Sequence, residues 1–172
     1  MTSLPRRLAV GCWLAQLIGQ LIQDANPAAR EVGFLLLEQL VEKAPMFIKE
    51  DIQAVAQMVM HGLHDNEVSV KAAAIKTANA LLIDADEDVT EVLQPFAGPI
   101  VQSLPLLVDQ HTEVAVEALE VLQECVSRAI PVLNDQMQDL VPLLVQYMTG
   151  NDQELSLKQA ANSLLIGIGE FR

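Results

Sequence analysis

The chain has 172 residues, of which 51% are hydrophobic and only 3% are aromatic. This length allows one domain with a sizeable core, and an aliphatic interior suits packed helices better than a β-sandwich. The formal net charge of −13 repels phosphate backbones, so the composition argues against direct nucleic-acid binding.

The first predicted helix covers residues 4 to 23 and has a polar edge formed by Gln16, Gln20 and Gln23. Its start, Arg6-Arg7 followed by an apolar run, also resembles a secretory signal peptide. We favour the helix, because Asn26-Pro27 opens a second helix that pairs with it, with Asn as the cap and Pro at the first helical position. No apolar run reaches the roughly 18 residues that span a membrane.

The stretch from Asp65 to Asp84 shows the unit from which the chain is built. After a polar corner, small and apolar residues follow at helical spacing: Val70, Ala73, Ala74, Thr77, Ala78, Leu81 and Leu82. They predict a helix with one wide apolar face, and the small residues let another helix approach closely. Such a helix needs a neighbour on each side.

Four dipeptides occupy equivalent places, each after a polar corner and before an apolar run: Ala29-Arg30, Val70-Lys71, Val116-Glu117 and Leu157-Lys158. Positions 30, 71, 117 and 158 are separated by 41, 46 and 41 residues. A period of about 40–47 residues with two helices per unit is typical of HEAT repeats. We predict an all-α fold, an α-solenoid whose antiparallel helix pairs stack in a right-handed superhelix. It forms a single domain, 1–172, of about four HEAT repeats at approximately 4–45, 46–84, 89–131 and 132–172.

Residues 84 to 91, DADEDVTE, lengthen the third repeat. Their alternating aspartates imitate the start of a calcium loop, but Val89 stands where the loop needs Gly and Pro95 where it needs Glu, so we predict an acidic linker. The stretches 92–108 and 135–148 contain prolines, which predict broken or kinked first helices. Asn151 and Glu154 are spaced as a capping box for the last helix.

No enzyme signature is present: there is no phosphate-binding Gly loop, nucleophile elbow or H-E-x-x-H motif. His61 and His64 lie where a predicted helix ends, and zinc needs at least three protein ligands, so we expect a helix-end role and no metal site. Cys12 and Cys125 are predicted to be small core residues in a reducing compartment. We predict a binding module without cofactor. A HEAT-type enzyme acting on a bound cofactor would need a reactive Cys/His constellation.

Two lines of glutamates are the predicted partner-binding residues: Glu31, Glu38 and Glu42 on one second helix, and Glu117, Glu120 and Glu124 on another. In a solenoid the second, inner helices stack side by side, so both lines would fall on one concave wall. Like charges this close are mildly destabilising, and a basic ligand relieves the repulsion. The alternative is an ordinary solvated helix face.

Several segments resemble the importin-β family of nuclear transport receptors. NPAAREVGFLLLEQLVEKAP is similar to an early inner helix of that family, and FAGPIVQSLPLLVD and LVPLLVQYM are similar to its proline-bearing outer helices. The likeness runs from about Trp13 onward and is nearest to the importins that carry histones and ribosomal proteins. It implies a receptor of the cytoplasm and nucleus, with basic cargo and Ran on the inner helices and FG nucleoporins between outer helices.

Neither end of the chain shows the polar outer face that a terminal repeat needs. We therefore expect a segment of a longer solenoid, or ends that a partner covers. The family's Ran-binding repeats are not visible before residue 1, so independent Ran binding is not expected. The competing hypothesis is a HEAT-repeat scaffold or assembly factor unrelated to nuclear transport.

Overall fold

The structure, a computed structural model, describes residues 6–45, 48, 51–83, 94–127, 133–151 and 153–170. Over these residues the chain is helical, with no β-strand. Among the described residues, a short 3-10 helix at Gln94–Phe96 precedes the fifth of eight α-helices. The helices are α1 (Arg6–Ile22), α2 (Pro27–Lys43), α3 (Ile52–Leu63), α4 (Val68–Ile83), α5 (Ala97–Gln110), α6 (Thr112–Ser127), α7 (Leu133–Thr149) and α8 (Leu155–Glu170).

These helices form consecutive pairs that stack in two rows. The pairs are α1 with α2, α3 with α4, α5 with α6, and α7 with α8. The second helices α2, α4, α6 and α8 contact one another in sequence, and the first helices α1, α3, α5 and α7 form the other row. This arrangement of stacked pairs confirms the predicted all-α solenoid.

The start of α2 follows from its sequence. The side chain of Asn26 accepts a hydrogen bond of 3.0 Å from the backbone N–H of Ala28, and Pro27 takes the first helical position. At the other end the N–H of Ala44 donates to the carbonyl of Leu40. The predicted cap of this helix is confirmed.

Helix α4 lies at the centre of the stack. All seven residues of its predicted apolar face are buried, which confirms that prediction. The helix is also buried outside that face, at Ala72, Ile75 and Ala80. The reason is that α4 contacts α2, α3, α5 and α6, so neighbours enclose it on several sides.

Two glycines allow neighbouring helices to approach closely. A Cβ built on Gly33 would lie 2.9 Å from the backbone nitrogen of Ile22, where α2 crosses α1. A Cβ on Gly62 would lie 2.7 Å from the Cβ of Ala74 and would overlap the ring of Phe34. A side chain at either position would therefore force packed helices apart.

The prolines are placed differently from one another. Pro95 lies in the 3-10 turn and Pro99 in the first turn of α5, where a missing N–H costs little. Pro105 and Pro142 lie inside α5 and α7, in agreement with proline-bearing first helices. The capping-box prediction is wrong, because α8 begins only at Leu155, after residues 153 and 154 that are not helical.

Some predictions fall outside the described residues: the acidic linker with its imitation of a calcium loop, the side chain of Cys12, and the repeat boundaries near 46, 89 and 131–132. Cys125 is buried in α6, as predicted for a core residue. None of the helices in the described part of the chain is long and apolar enough to cross a bilayer.

Candidate functional site

Glutamates from two second helices come together across α4. Glu38 on α2 and Glu117 on α6 are both half-buried, and each carboxylate acts electrostatically on the half-buried ammonium of Lys76 on α4. Further glutamates flank them on the same two helices. We call this set the carboxylate face: Glu38, Glu42, Glu113, Glu117 and Glu120, with Lys76 among them.

A buried hydrogen bond fixes how α4 lies against α2. The hydroxyl of Thr77 is 3.2 Å from the backbone carbonyl of Phe34 on α2 and 3.0 Å from the carbonyl of Ala73 within α4. Thr77 itself is fully buried, so its hydroxyl must be satisfied by these carbonyls. This contact joins the turn of α4 that carries Lys76 to α2.

The pKa values of the two central glutamates report the environment of the face. Burial raises the pKa of Glu117, Lys76 opposes the rise, and the charges of Glu38, Glu120 and Glu113 reinforce it. Burial also raises the pKa of Glu38, again opposed by Lys76 and reinforced by Glu42. Both carboxylates therefore ionise less readily than a glutamate in water does, even with a lysine nearby.

The predicted site residues are only partly brought together. Glu38, Glu42, Glu117 and Glu120 belong to the carboxylate face. Glu31 and Glu124 are half-buried and lie seven residues from Glu38 and Glu117 on their own helices, about 10 Å along each axis. Glu42 also accepts a 3.2 Å hydrogen bond from the amide nitrogen of Gln39.

Lys76 and Glu113 were missed by the sequence reasoning. Lys76 interrupts an otherwise small and apolar helix, AAAIKTANALL, and that interruption was the available signal. Its meaning depends on which residues of α2 and α6 lie opposite, and spacing within one helix does not contain that information.

A second charged site ties the first two helix pairs together. The guanidinium of Arg30 on α2 binds the carboxylate of Asp65 through two bonds, Nε to Oδ2 at 2.6 Å and Nη2 to Oδ1 at 2.9 Å. Its third nitrogen, Nη1, donates to the carbonyls of Asp24 and Ala25 at 3.0 and 3.1 Å. We call this pair the turn clamp, because Asp65 lies in the corner between α3 and α4.

The turn clamp is nearly saturated. Asp65 also accepts from the N–H of Glu67 at 2.9 Å, and its side chain is only 6% exposed. Burial opposes the ionisation of Asp65, but the hydrogen bonds from Arg30 and Glu67, and the charges of Arg30 and His61, hold its pKa below the ordinary value. Few donors or acceptors are left in this pair for a ligand.

The two histidines lie near the turn clamp. His64 caps the end of α3, and its Nδ1 donates to the carbonyl of Met60 at 2.9 Å, which confirms the predicted helix-end role. His61 and His64 line an open pocket of about 400 Å³ together with Asp24 and Asp65. No group of three His, Cys, Asp or Glu side chains within the described ranges is placed to hold a metal ion.

Two comparisons place these features among known proteins. A family profile described as IPO5-like, TPR repeats, matches residues 13–143, which is most of the chain. TPR repeats have a period of about 34 residues, whereas the offsets of 41, 46 and 41 in this sequence have the length of HEAT repeats.

The fold is also similar to that of Kap121p, in a crystal structure of a mutant with three acidic residues changed to lysine. The TM-score is 0.69 at 22% sequence identity, and the match covers 92% of this chain. The same match covers 15% of the Kap121p chain, so this chain spans a small part of that protein's length. At this level of identity the likeness is one of fold.

Proposed function

Because this chain belongs to the importin-β family, as a segment with IPO5-like repeats, we propose that it is a protein-binding segment of a nuclear import receptor. Its carboxylate face binds basic cargo, such as proteins of the histone or ribosomal type. Binding is its whole activity, with no reaction catalysed and no cofactor used.

The excess of negative charge on the carboxylate face supports this proposal. The face carries five glutamates from α2 and α6 against Lys76 and Lys43, the latter paired with Glu42 at 3.6 Å, and burial raises the pKa values of the two central carboxylates. An incoming ammonium or guanidinium group stabilises the ionised carboxylates and lowers their pKa values. The repulsion present in the unbound protein is thereby converted into affinity for a cation.

The family supplies the rest of the proposal. The receptor acts in the cytoplasm and the nucleus, with Ran and FG nucleoporins as further partners and without direct contact to nucleic acid or membrane. Leu106 on α5 and Val145 on α7 are each 45% exposed, on first helices that contact one another. We assign that row of helices to the nucleoporins, which leaves the carboxylate face to cargo.

The test measures binding of a fluorescent octa-arginine peptide to the 172-residue chain by fluorescence anisotropy at low salt. Glu117→Lys is expected to weaken binding roughly three- to tenfold, because it reverses a charge at the centre of the face. Asp139→Lys is the matched control, since it makes the same charge change at an exposed position on α7, in the other row.

Two results would contradict the proposal. One is the absence of octa-arginine binding at low salt. The other is an equal loss in Glu117→Lys and Asp139→Lys, which would mean that the peptide responds only to net charge. An octa-glutamine peptide, expected not to bind, controls for attachment through the peptide backbone.

A further inference from the structure

Lys76 lies between carboxylates of two different helices. It acts on Glu38 of α2 and on Glu117 of α6, and α4 packs against both helices. The contact of the Thr77 hydroxyl with the carbonyl of Phe34 joins the turn of α4 that carries Lys76 to α2. Lys76 thus lies on the helix that packs between the two glutamate-bearing helices.

The lysine is close to these carboxylates without being locked to them. In the described part of the chain the direct ion pairs are Arg30 with Asp65 and Lys43 with Glu42, and Lys76 is in neither. A lysine ammonium is a point charge on a flexible four-carbon stem, so it can move away without loss of a short hydrogen bond. Lys71, on the same helix, differs because its Nζ donates to the carbonyl of Leu63 at 3.3 Å.

The charge balance shows what the lysine does for the unbound chain. It lowers the pKa of both central glutamates, whereas the surrounding carboxylates raise them. Lys76 therefore supplies part of the positive charge that the face lacks. A ligand cation that binds at Glu38 or Glu117 takes over that role and meets the repulsion of Lys76 at the same time.

We propose that Lys76 is a built-in counter-ion of the carboxylate face, which a basic ligand must displace, and that it selects for ligands carrying several adjacent positive charges. A single lysine or arginine only exchanges one cation for another. A cluster of them neutralises the flanking glutamates as well, and this additional attraction offsets the free-energy cost of displacing Lys76. The inference rests on the proposed function, since it concerns the same face and the same class of ligand.

The test compares three variants of the full chain for octa-arginine binding at low salt. Lys76→Met removes the competing charge and is expected to raise affinity roughly three- to tenfold, in the range that single charges contribute near a protein surface. Lys76→Arg keeps the charge and is expected to bind like the unmodified chain. Lys71→Met removes an equal charge from the same helix and is expected to change affinity far less.

A single free arginine amide serves as the second probe. We expect Lys76→Met to reduce the advantage of octa-arginine over arginine amide, because the selecting charge is gone. An NMR titration of the side-chain carboxyls gives an independent readout, in which Lys76→Met should raise the pKa of Glu38 and Glu117 and Lys76→Arg should not. A purely structural role for Lys76 would leave these titrations unchanged.

The outcomes separate the two proposals. Equal affinities for Lys76→Met and Lys71→Met, or unchanged titrations of Glu38 and Glu117, would overturn the role of Lys76 and leave cargo binding intact. A failure of octa-arginine to bind any variant would overturn the proposed function and, with it, the displacement. Circular dichroism of each variant checks that the helices are retained.

Discussion

The turn clamp and the carboxylate face use the same kinds of side chain and end in opposite states. At the clamp, Arg30 and Asp65 form two short bonds to each other and use their remaining groups on nearby backbone. On the face, Lys76 forms no direct ion pair within the described part of the chain. The closed pair joins two helix pairs, whereas in the proposed function the open set keeps charge available for a ligand.

The contrast is sharpened by the repeat, because Arg30 and Glu117 hold equivalent positions in it. The clamp depends on an aspartate in the next corner, and the corners at positions 24, 65 and 111 carry Asp, Asp and His. In the second repeat the equivalent of Arg30 is Lys71, which donates to a backbone carbonyl. In the third repeat it is Glu117, an acid. The repeat thus sets where a side chain lies, and the residue at that place decides whether it joins layers or, as we propose, meets a partner.

The largest effect is expected from opening the clamp. Asp65→Ala removes the carboxylate that binds Arg30 and the N–H of Glu67, and the expected loss is about 1–2 kcal/mol of unfolding free energy, because hydrogen bonds to charged groups are lost. Urea denaturation measures it. Asp24→Ala is the control, since Asp24 occupies the equivalent corner and its exposed side chain bonds only locally, to the N–H of Asn26. Equal losses would show that the clamp adds nothing.

A smaller effect is expected at the contact that sets the register of the face. Thr77→Val keeps the shape of the side chain but removes its hydrogen bond to Phe34 and Ala73, at a cost of about 1 kcal/mol. Thr149→Val is the matched control, because the hydroxyl of the exposed Thr149 donates to the carbonyl of Val145 within a single helix. If both variants unfold at the same urea concentration as the unmodified chain, the buried hydroxyl does not contribute to the join between α2 and α4.

The smallest expected effect is a gain in unfolding free energy instead of a loss. A raised folded pKa means that stabilisation by Glu38 and Glu117 is complete below the ordinary glutamate value of about 4.3 and is lost as the pH rises through the raised values. Glu38→Gln/Glu117→Gln should therefore be slightly more stable than the unmodified chain at pH 7, by roughly 0.5 kcal/mol after allowance for solvent screening. The advantage should disappear below about pH 4.

Asp65 should show the reverse dependence. Its pKa is lowered, so its contribution is present above the ordinary aspartate value of about 3.9 and is lost as the pH falls through the lowered value. Thermal melts of the Asp65→Ala and Glu38→Gln/Glu117→Gln variants across this range test both signs. A glutamine variant that is less stable than the unmodified chain at pH 7 would mean that the carboxylate face is already neutralised in the unbound protein.

Features carried by neighbouring residues could be predicted from the sequence. The Asn26 cap and the buried face of α4 each depend on spacing within one segment. The period of the repeat predicted the stacking of helix pairs. This stacking places Glu38 and Glu117 on α2 and α6, the second helices on either side of α4.

The remaining features depend on contacts between distant segments. The partnership of Arg30 with Asp65 joins residues 35 apart in the chain, and the position of Lys76 depends on a hydrogen bond across 43 residues. The burial of Ala72 and Ile75 needs four neighbouring helices to be in place at once. The start of α8 was misplaced because Asn151 and Glu154 have the spacing of a capping box, but the intervening turn continues up to Leu155.

Gly62 affects how all the helix pairs of the solenoid stack. Because glycine has no Cβ, α3 packs closely against both Phe34 and Ala74, so this position sets the distance between the first and second helix pairs. A methyl group there would push α3 away from α2 and α4. Because each helix pair packs against the one before it, the resulting tilt of the pairs would extend to α8. The pitch of the solenoid, and with it the alignment of Glu38 with Glu117, therefore depends on having no side chain at position 62.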